Sequence, residues 1–173
     1  MPPRTVIVAH DDLPEAAFDL MRLGFPEDEV DQRAFWDAHP ESVHALAYDG
    51  DALVAHAGLV TRALYTDSRA IETAYVEYVC AEPRRRGYGS LAMRAIEQEV
   101  RRRGFALAGL ATGSPAFYER LGWRRWRGPR AYRAPGGAID PTPDEIVMVL
   151  DLGAGVDLDA SIECDWRAIG DIW

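Results

Sequence analysis

The chain contains an apolar strand that runs into a turn rich in arginine and glycine and then into a helix. The strand covers residues 74–81, the turn has the pattern R-x-x-G-x-G from Arg84 to Gly89, and apolar residues recur at helical spacing from Leu91. Glycine permits a sharp turn because it carries no Cβ. Such a turn points consecutive N–H groups inward, and the following helix adds free amides and a positive dipole end. The segment therefore predicts a cradle for a pyrophosphate group.

Two other phosphate-binding loops are excluded by the same residues. No Gly-Lys-Ser/Thr follows the turn, so it is not a Walker loop, and its spacing differs from the dinucleotide pattern G-x-G-x-x-G. A solvated, arginine-rich surface turn is the remaining alternative.

Length and charge limit the classes of protein that the chain can belong to. Its 173 residues predict a single domain, 1–173. A net charge of −9, with arginine as the only strongly basic residue type, disfavours nucleic acid and anionic membranes and favours a cationic partner. The sequence has neither an apolar run long enough for a membrane span nor the apolar region of a signal peptide, and its two widely separated cysteines favour a reducing cytoplasm.

The thiols and imidazoles indicate neither a disulfide nor a metal site. Cys80 and Cys164 lie far apart, without the spacing of a disulfide framework or a zinc site. Cys80, in an apolar strand, is expected to be a small buried hydrophobe rather than a nucleophile. The four histidines show no metal-ligand spacing, and two of them, His44 and His56, are expected as structural residues in adjacent strands. No metal is predicted.

Apolar periodicity predicts an α+β fold in which a mixed, mostly antiparallel sheet is flanked by helices. Asp12 is expected to cap the first helix, and Asp49 to Asp51 to form a hairpin turn. The predicted strands are 5–8, 43–48, 53–66, 74–81, 105–110, 130–133 and 145–152, and the predicted helices are 14–23, 31–38, the segment from the glycine turn to Gly104, and 114–121.

The strand, the R-x-x-G-x-G turn and their mid-chain position resemble the acetyl-CoA-binding motif of the GNAT N-acetyltransferase superfamily. The resemblance implies the single-domain GNAT fold, acetyl-CoA as co-substrate, and main-chain bonds from the splayed strand to the pantetheine arm. The residues that it implies for cofactor binding are Val79, Cys80, Arg84, Arg85, Arg86, Gly87, Tyr88, Gly89, Ser90, Ser114 and Phe117.

Glu77 stands inside an otherwise apolar strand, just before the cradle. A carboxylate in a sheet covered on both faces is costly unless it has partners. Acetyl transfer needs a neutral amine, and a carboxylate within reach, directly or through one water, can take the proton from the ammonium. Glu77 is therefore a candidate general base, and a water-facing Glu at a strand splay is the alternative.

Residues 114–123 resemble a second superfamily motif, a helix that carries A-x-Y-E-x-x-G-aromatic. In many relatives the tyrosine faces the thioester sulfur and protonates the departing thiolate. The resemblance makes Tyr118 a candidate general acid. The alternative is a packing tyrosine with its hydroxyl at the surface.

Four segments narrow the resemblance to one family within the superfamily. They are residues 74–77, 118–129 with its W-x-G-P, 141–144, and the tail 164–173 with C-D-W-R-A and G-D-x-W. Together they resemble the aminoglycoside 2'-N-acetyltransferases over about residues 44–173.

This resemblance implies roles for further residues. Glu77 orders a water beside the acceptor amine, and Glu77, Tyr118 and Trp173 are the implied catalytic residues. Asp171 and the terminal carboxylate of Trp173 grip the aminocyclitol ring, and a C-terminal strand or hook that packs Trp166 and Trp173 into the core is the alternative. The residues implied for binding the acceptor are Asp28, Asp31, Trp36, Glu77, Asp144, Glu145, Asp171 and Trp173.

Acetyl transfer from acetyl-CoA to the 2'-amine of an aminoglycoside, by direct attack in a ternary complex, is the predicted activity. The acceptor is a cationic small molecule, and a homodimer is expected. The N-terminal acidic residues match the family with a different spacing before Trp36, which leaves other acceptors open: a kasugamycin-type aminocyclitol, a polyamine or a protein amine. A non-catalytic acyl-CoA-binding sensor is the alternative from another class of protein.

Overall fold

The computed structural model describes residues 2–173 and contains two compact units. Unit 1 comprises the chain up to Val60 together with Val76–Arg103, and unit 2 comprises Thr61–Tyr75 and Gly104–Trp173. Strands β3 (Ala52–Thr66) and β4 (Arg69–Ala81) each contribute residues to both units.

Unit 1 contains an antiparallel β-meander and three α-helices. Strand β1 (Arg4–Ala9) pairs with β2 (Val43–Asp49), which pairs in turn with β3. Gly50 has a φ of +60° and makes the hairpin turn between β2 and β3. The helices are α1 (Glu15–Gly24), α2 (Gln32–Asp37) and α3 (Tyr88–Arg102), and α3 packs against β1 and β2.

The first two helices begin differently. Asp12 was predicted to cap α1, and this is wrong: Asp12 lies in a 3₁₀ turn (His10–Asp12), and Pro14 occupies the N-cap position without a side-chain hydrogen bond. Proline fits there because the first helical amides have no intrahelical partner. Asp31 does cap α2, accepting hydrogen bonds from the amides of Arg33 and Ala34.

The core of unit 1 is built around Trp36. Its side chain is fully buried, and its Nε1 donates to Met21 Sδ at 3.2 Å. Gly58 in β3 makes this packing possible, because a Cβ at that position would lie 2.1 Å from Trp36 Cη2.

Unit 2 contains most of the mixed sheet. Its strand order is β6-β9-β5-β4-β3-β10-β7-β8. The β4–β5 and β7–β10 pairs are parallel, whereas β5–β9, β6–β9, β3–β10 and β7–β8 are antiparallel, which confirms the predicted mixed, mostly antiparallel sheet. Its further elements are β5 (Leu107–Ala111), α4 (Pro115–Glu119), β6 (Arg124–Arg125), β7 (Arg130–Arg133), β8 (Ile139–Pro141), β9 (Val147–Asp151) and β10 (Ile162–Asp165).

Three short strands were not predicted from the sequence. β8 lies in a segment predicted as a loop because of its proline and glycine, β10 lies in the tail, and β6 has two residues. All three have at most four residues, which is too short for apolar periodicity to indicate them, and β6 and β10 pair with strands distant in the sequence. Among residues 2–173, no helix is long and apolar enough to cross a membrane.

Candidate active site

The predicted cradle lies between β4 and α3 in unit 1. Gly87 is the N-cap residue of α3 with a φ of +84°, and Arg85 also has a positive φ, +64°. The first amides of α3 have no intrahelical partner. A Cβ added at Gly87 would meet no atom within 4 Å, so the space in front of the loop is open. Free amides, a helix N-terminus and open space fit a pyrophosphate group.

Side chains around this loop supply charge and anchor it. Arg84, Arg85 and Arg86 are exposed. The Tyr88 hydroxyl donates to Asp49 Oδ2 at 2.5 Å, which ties the start of α3 to the end of β2 and raises the pKa of Tyr88. Gly89 and Ser90, also predicted for cofactor binding, are half-buried in the first turn of α3.

β4 is irregular immediately before the cradle. Tyr78 has a φ of +52°, a left-handed conformation that is rare for a bulky residue and strained. Glu77 and Val79, on either side, are half-buried. Cys80 is buried, and burial raises the pKa of its thiol to about 12. The thiol is therefore protonated at neutral pH, in keeping with the expected role as a small hydrophobe.

The candidate general acid lies on the short helix α4 of unit 2. Tyr118 is 7% exposed, and its ring packs edge-on against Phe117 and Trp123, with centroid distances of 4.8 and 6.2 Å. Ser114 precedes the helix, and its amide donates to Thr112 Oγ1 at 2.9 Å. These aromatic contacts fix the orientation of the tyrosine ring.

Unit 2 also brings together three of the acidic residues predicted to bind the acceptor. Glu145 is half-buried, and its pKa is raised first by burial and then by repulsion from Asp171 and Asp144, against an opposing effect of Arg130. Asp144 and Asp171 are exposed. We call Asp144, Glu145 and Asp171 the acidic cluster.

The tail that carries Asp171 is held in place by side chains from two other segments. Arg62 Nη2 donates to the carbonyl oxygens of Asp165 and Ile172 at 3.0 and 2.9 Å. Trp173 is 3% exposed, and its Nε1 donates to Thr142 Oγ1 at 2.8 Å. Trp166 is 46% exposed, so only one of the two tail tryptophans packs into the core. Arg62 was missed from the sequence, although an arginine in a largely apolar strand was a usable signal.

The acidic residues predicted from the N-terminal third have local roles. Asp28 Oδ1 accepts from the Val30 amide at 3.0 Å, and Asp31 caps α2. Both line a cavity of about 410 Å³ in unit 1, together with Arg22, Phe25, Pro26, Val30, Gln32 and Arg33. Trp36 does not line this cavity. Its burial favours a packing role over the predicted acceptor contact.

The comparisons with known proteins give the family. A protein-family model described as "Acetyltransferase (GNAT) domain" matches residues 6–126 of this chain. An aminoglycoside 2'-N-acetyltransferase from Mycolicibacterium fortuitum is 38% identical over 149 residues, which cover 81% of this chain and 75% of that protein. The chain belongs to the aminoglycoside 2'-N-acetyltransferase family of the GNAT superfamily. The family predicted from the sequence, and its class as an acetyl-CoA-dependent N-acetyltransferase, are thereby confirmed.

Solved structures confirm the GNAT fold of this acetyltransferase. An aminoglycoside 6'-N-acetyltransferase complexed with coenzyme A has a TM-score of 0.61 at 20% identity, covering 88% of this chain and 99% of that one. A probable N-acyltransferase from Enterococcus faecalis has a TM-score of 0.63 at 17% identity and covers 73% of this chain. The present chain covers 33% of the length of the E. faecalis protein.

The cradle of this GNAT enzyme can be tested at Gly87. We expect Gly87→Val to weaken coenzyme A binding about ten- to a hundredfold, because strain at this φ would misalign amides whose charge-assisted bonds are worth about 1.5–3 kcal/mol each. Isothermal titration calorimetry on the folded variant measures the effect.

Gly104→Val is the matched control for this substitution. Gly104 follows the other end of α3, has a φ of +78°, and likewise has no atom within 4 Å of an added Cβ. It should lower the melting temperature comparably and leave coenzyme A affinity intact. Unchanged affinity in folded Gly87→Val would contradict the cradle.

Proposed function

We propose that this chain transfers the acetyl group of acetyl-CoA to the 2'-amine of an aminoglycoside by direct attack in a ternary complex. The observation that carries the proposal is the acidic cluster of unit 2. Burial, and then repulsion from Asp171 and Asp144, raises the pKa of Glu145, so the ionised form of Glu145 costs free energy in the folded protein. A polycationic acceptor would offset that repulsion, whereas a neutral or anionic acceptor would not.

The cofactor side of the proposed site is formed by the cradle. Amides of residues 85–90 would hold the pyrophosphate, and Arg84, Arg85 and Arg86 would add charge. Main-chain groups of Val79 and Cys80 would hold the pantetheine arm, with Ser114 and Phe117 as further cofactor contacts. Acetyl-CoA supplies the thioester. The role of the chain is to orient that group and to polarise its carbonyl with main-chain N–H groups of β4.

Two side chains would move protons in the reaction. Glu77 would accept the proton of the acceptor ammonium, directly or through an ordered water, because only the neutral amine has a lone pair. Tyr118 would donate to the thiolate as it departs. Tyr118 is buried and its ring is held by two aromatic neighbours, as a positioned donor requires.

The acceptor would be held by the acidic cluster and by the tail through Asp171 and Trp173. Asp28 and Asp31 are secondary candidates, because one oxygen of each already accepts main-chain hydrogen bonds. For Trp36 we propose a packing role.

Turnover of acetyl-CoA with a panel of amines tests the proposed function. The panel contains aminoglycosides with and without a 2'-amine, a kasugamycin-type aminocyclitol, polyamines and a lysine-containing peptide. We expect turnover of the 2'-amino aminoglycosides, with one acetyl group on the 2'-nitrogen by mass spectrometry and NMR. Acetylation at another nitrogen, or preference for a polyamine or peptide, would contradict the proposed acceptor. Binding of coenzyme A without turnover of any amine would favour an acyl-CoA sensor.

Three coarser properties also remain proposals from the sequence: a single domain over residues 1–173, a homodimer, and a cytoplasmic location. Sedimentation velocity at micromolar concentration tests the homodimer. The proposed reaction itself requires no metal ion, which assay in the presence of a chelator would test.

A further inference from the structure

Three buried polar side chains in unit 1 form a hydrogen-bonded chain that ends on the backbone of β4. Ser42 Oγ lies 3.1 Å from His44 Nε2, and His44 Nδ1 lies 2.9 Å from His56 Nε2. His56 Nδ1 lies 2.7 Å from the carbonyl oxygen of Tyr78. We call Ser42, His44 and His56 the relay. None of the three is more than 1% exposed.

Both imidazoles of the relay are neutral at physiological pH. Burial, with smaller effects of His56 and His10, lowers the pKa of His44 to about 2. Burial also lowers the pKa of His56 to about 4, although its bond to Tyr78 opposes the shift. Each ring therefore carries a single N–H group, and its other nitrogen can only accept.

The acceptor at the end of the relay then fixes every proton in it. The carbonyl of Tyr78 cannot donate, so His56 carries its proton on Nδ1, and His56 Nε2 must accept from His44 Nδ1. His44 Nε2 in turn accepts from the Ser42 hydroxyl. Every hydrogen bond of the relay is therefore donated in the same direction, from Ser42 toward β4.

Tyr78, whose carbonyl accepts the last hydrogen bond of the relay, has an unusual backbone conformation. Among residues 2–173, positive φ values at residues other than glycine occur at Asp67 and Ser68 in a turn, at Arg85 in the cradle, and at Tyr78, which alone lies inside a strand. The Tyr78 ring packs against Phe25, Phe35 and Trp36, with centroid distances of 5.3, 5.2 and 5.7 Å. Tyr78 is thus held by an aromatic cluster at its side chain and by His56 at its carbonyl.

We propose that Ser42, His44 and His56 are positioning residues for acetyl transfer, which hold the Tyr78 carbonyl and thereby fix the backbone between Glu77 and Val79. The roles of those two neighbours rest on the proposed function. One rotation of the peptide after Tyr78 would change the position of the main chain predicted to bind pantetheine. The same movement would tilt the strand segment that carries the candidate base.

Packing alone gives no reason for these residue types. The neighbouring β2 residues Ala45, Leu46 and Ala47 are apolar and buried, and apolar side chains at positions 44 and 56 would avoid the cost of burying polar groups. A polar chain is favoured where a main-chain carbonyl accepts a hydrogen bond that an apolar side chain could not donate. The carbonyl of Tyr78, the left-handed residue of β4, accepts such a bond from His56.

The test compares two substitutions at His56. His56→Leu removes the donor to Tyr78, whereas Asn in His56→Asn places an amide N–H near the position of Nδ1 and retains it. We expect His56→Leu to lower kcat about ten- to a hundredfold with the KM for the amine within about threefold of wild type, since misplacement of reacting groups affects mainly the chemical step. His56→Asn should recover most of that loss.

His39→Leu is the matched control. His39 Nδ1 also donates to a main-chain carbonyl, that of Phe35, at 2.8 Å, but this carbonyl lies in α2 and not in β4. We expect its kcat to stay within about twofold of wild type after correction for the folded fraction. If His56→Leu lowers only the melting temperature, as His39→Leu does, the positioning role is overturned.

Two readouts do not depend on the acceptor. Nitrogen-15 NMR of histidine-labelled wild-type protein at pH 7 should show both His44 and His56 protonated on Nδ1 alone, and protonation on Nε2 of either ring would overturn the relay. Coenzyme A affinity should fall about fivefold in His56→Leu, because Val79 and Cys80 follow Tyr78.

Wild-type protein that acetylates no aminoglycoside would refute the proposed function and leave these two readouts intact. If His56→Leu does not fold, Ser42→Ala replaces it, with a smaller loss of kcat.

Discussion

Replacement of Tyr118 by phenylalanine is expected to lower the rate of acetyl transfer by about 10²-fold or more, the usual contribution of a positioned proton donor. The ring contacts to Phe117 and Trp123 remain, so the melting temperature and coenzyme A affinity should stay near the wild-type values. Steady-state kinetics with both substrates saturating measures the change.

Tyr48→Phe is the control for loss of a hydroxyl group. Tyr48 lies in β2, where its ring packs beneath the guanidinium of Arg4 at 4.4 Å. A wild-type rate in Tyr118→Phe would contradict its role as the general acid.

Glu77→Gln is the companion variant for the base, and it should flatten the rise of rate with pH because an amide cannot take the ammonium proton. If both variants keep the full rate, proton transfer runs through bulk water.

Neutralisation of the acidic cluster is expected to have the second large effect. Each of Glu145→Gln and Asp171→Asn should weaken aminoglycoside binding about ten- to a hundredfold, since one charge-assisted hydrogen bond is worth about 1.5–3 kcal/mol. Coenzyme A binding should be unchanged. Calorimetric titration of the same protein with each substrate separates the two effects.

Substitution of Glu145 should stabilise the folded protein even though it weakens aminoglycoside binding. The folded-state pKa of Glu145 is raised above its ordinary value, so its ionised form opposes folding at neutral pH. Glu145→Gln should therefore raise the melting temperature at pH 7. The gain should disappear as the pH falls below the ordinary pKa of glutamate, where the carboxyl group is protonated in both states.

Asp11→Asn together with Asp12→Asn is the control for net charge. These two exposed residues lie in the 3₁₀ turn of unit 1, and their neutralisation changes the long-range field by the same two charges as the double variant of the cluster. If this control and the combination of Glu145→Gln with Asp171→Asn lose the same aminoglycoside affinity, the cluster acts only through the net charge of the protein. Point variants are preferable to deletion of the tail, because a deletion also removes the buried Trp173.

Features encoded by contiguous residues could be predicted from the sequence. The turn between β4 and α3 follows from glycines that permit a left-handed conformation and from apolar periodicity that begins a helix directly after it, and both effects operate within about a dozen residues. For the same reason the hairpin turn at Gly50 and the strand β7 were predicted correctly. The family followed from motifs, which are also local.

Tertiary structure decided the roles that depend on distant partners. Trp36 of α2 was predicted to contact the acceptor, but Gly58 of β3 admits its ring, and the full burial of that ring favours a packing role. β10 is a strand because it pairs with β3 and β7, which are both distant from it in the sequence.

The function of the two buried histidines was also decided by the fold. Their positions in adjacent strands were predictable, but their proton positions depend on a carbonyl of Tyr78, far along the chain. The same holds for the acidic cluster, in which Asp171 of the tail repels Glu145. Sequence periodicity determines which face of an element is apolar, whereas hydrogen bonds and charge repulsion act only between groups that the fold has brought within a few ångströms.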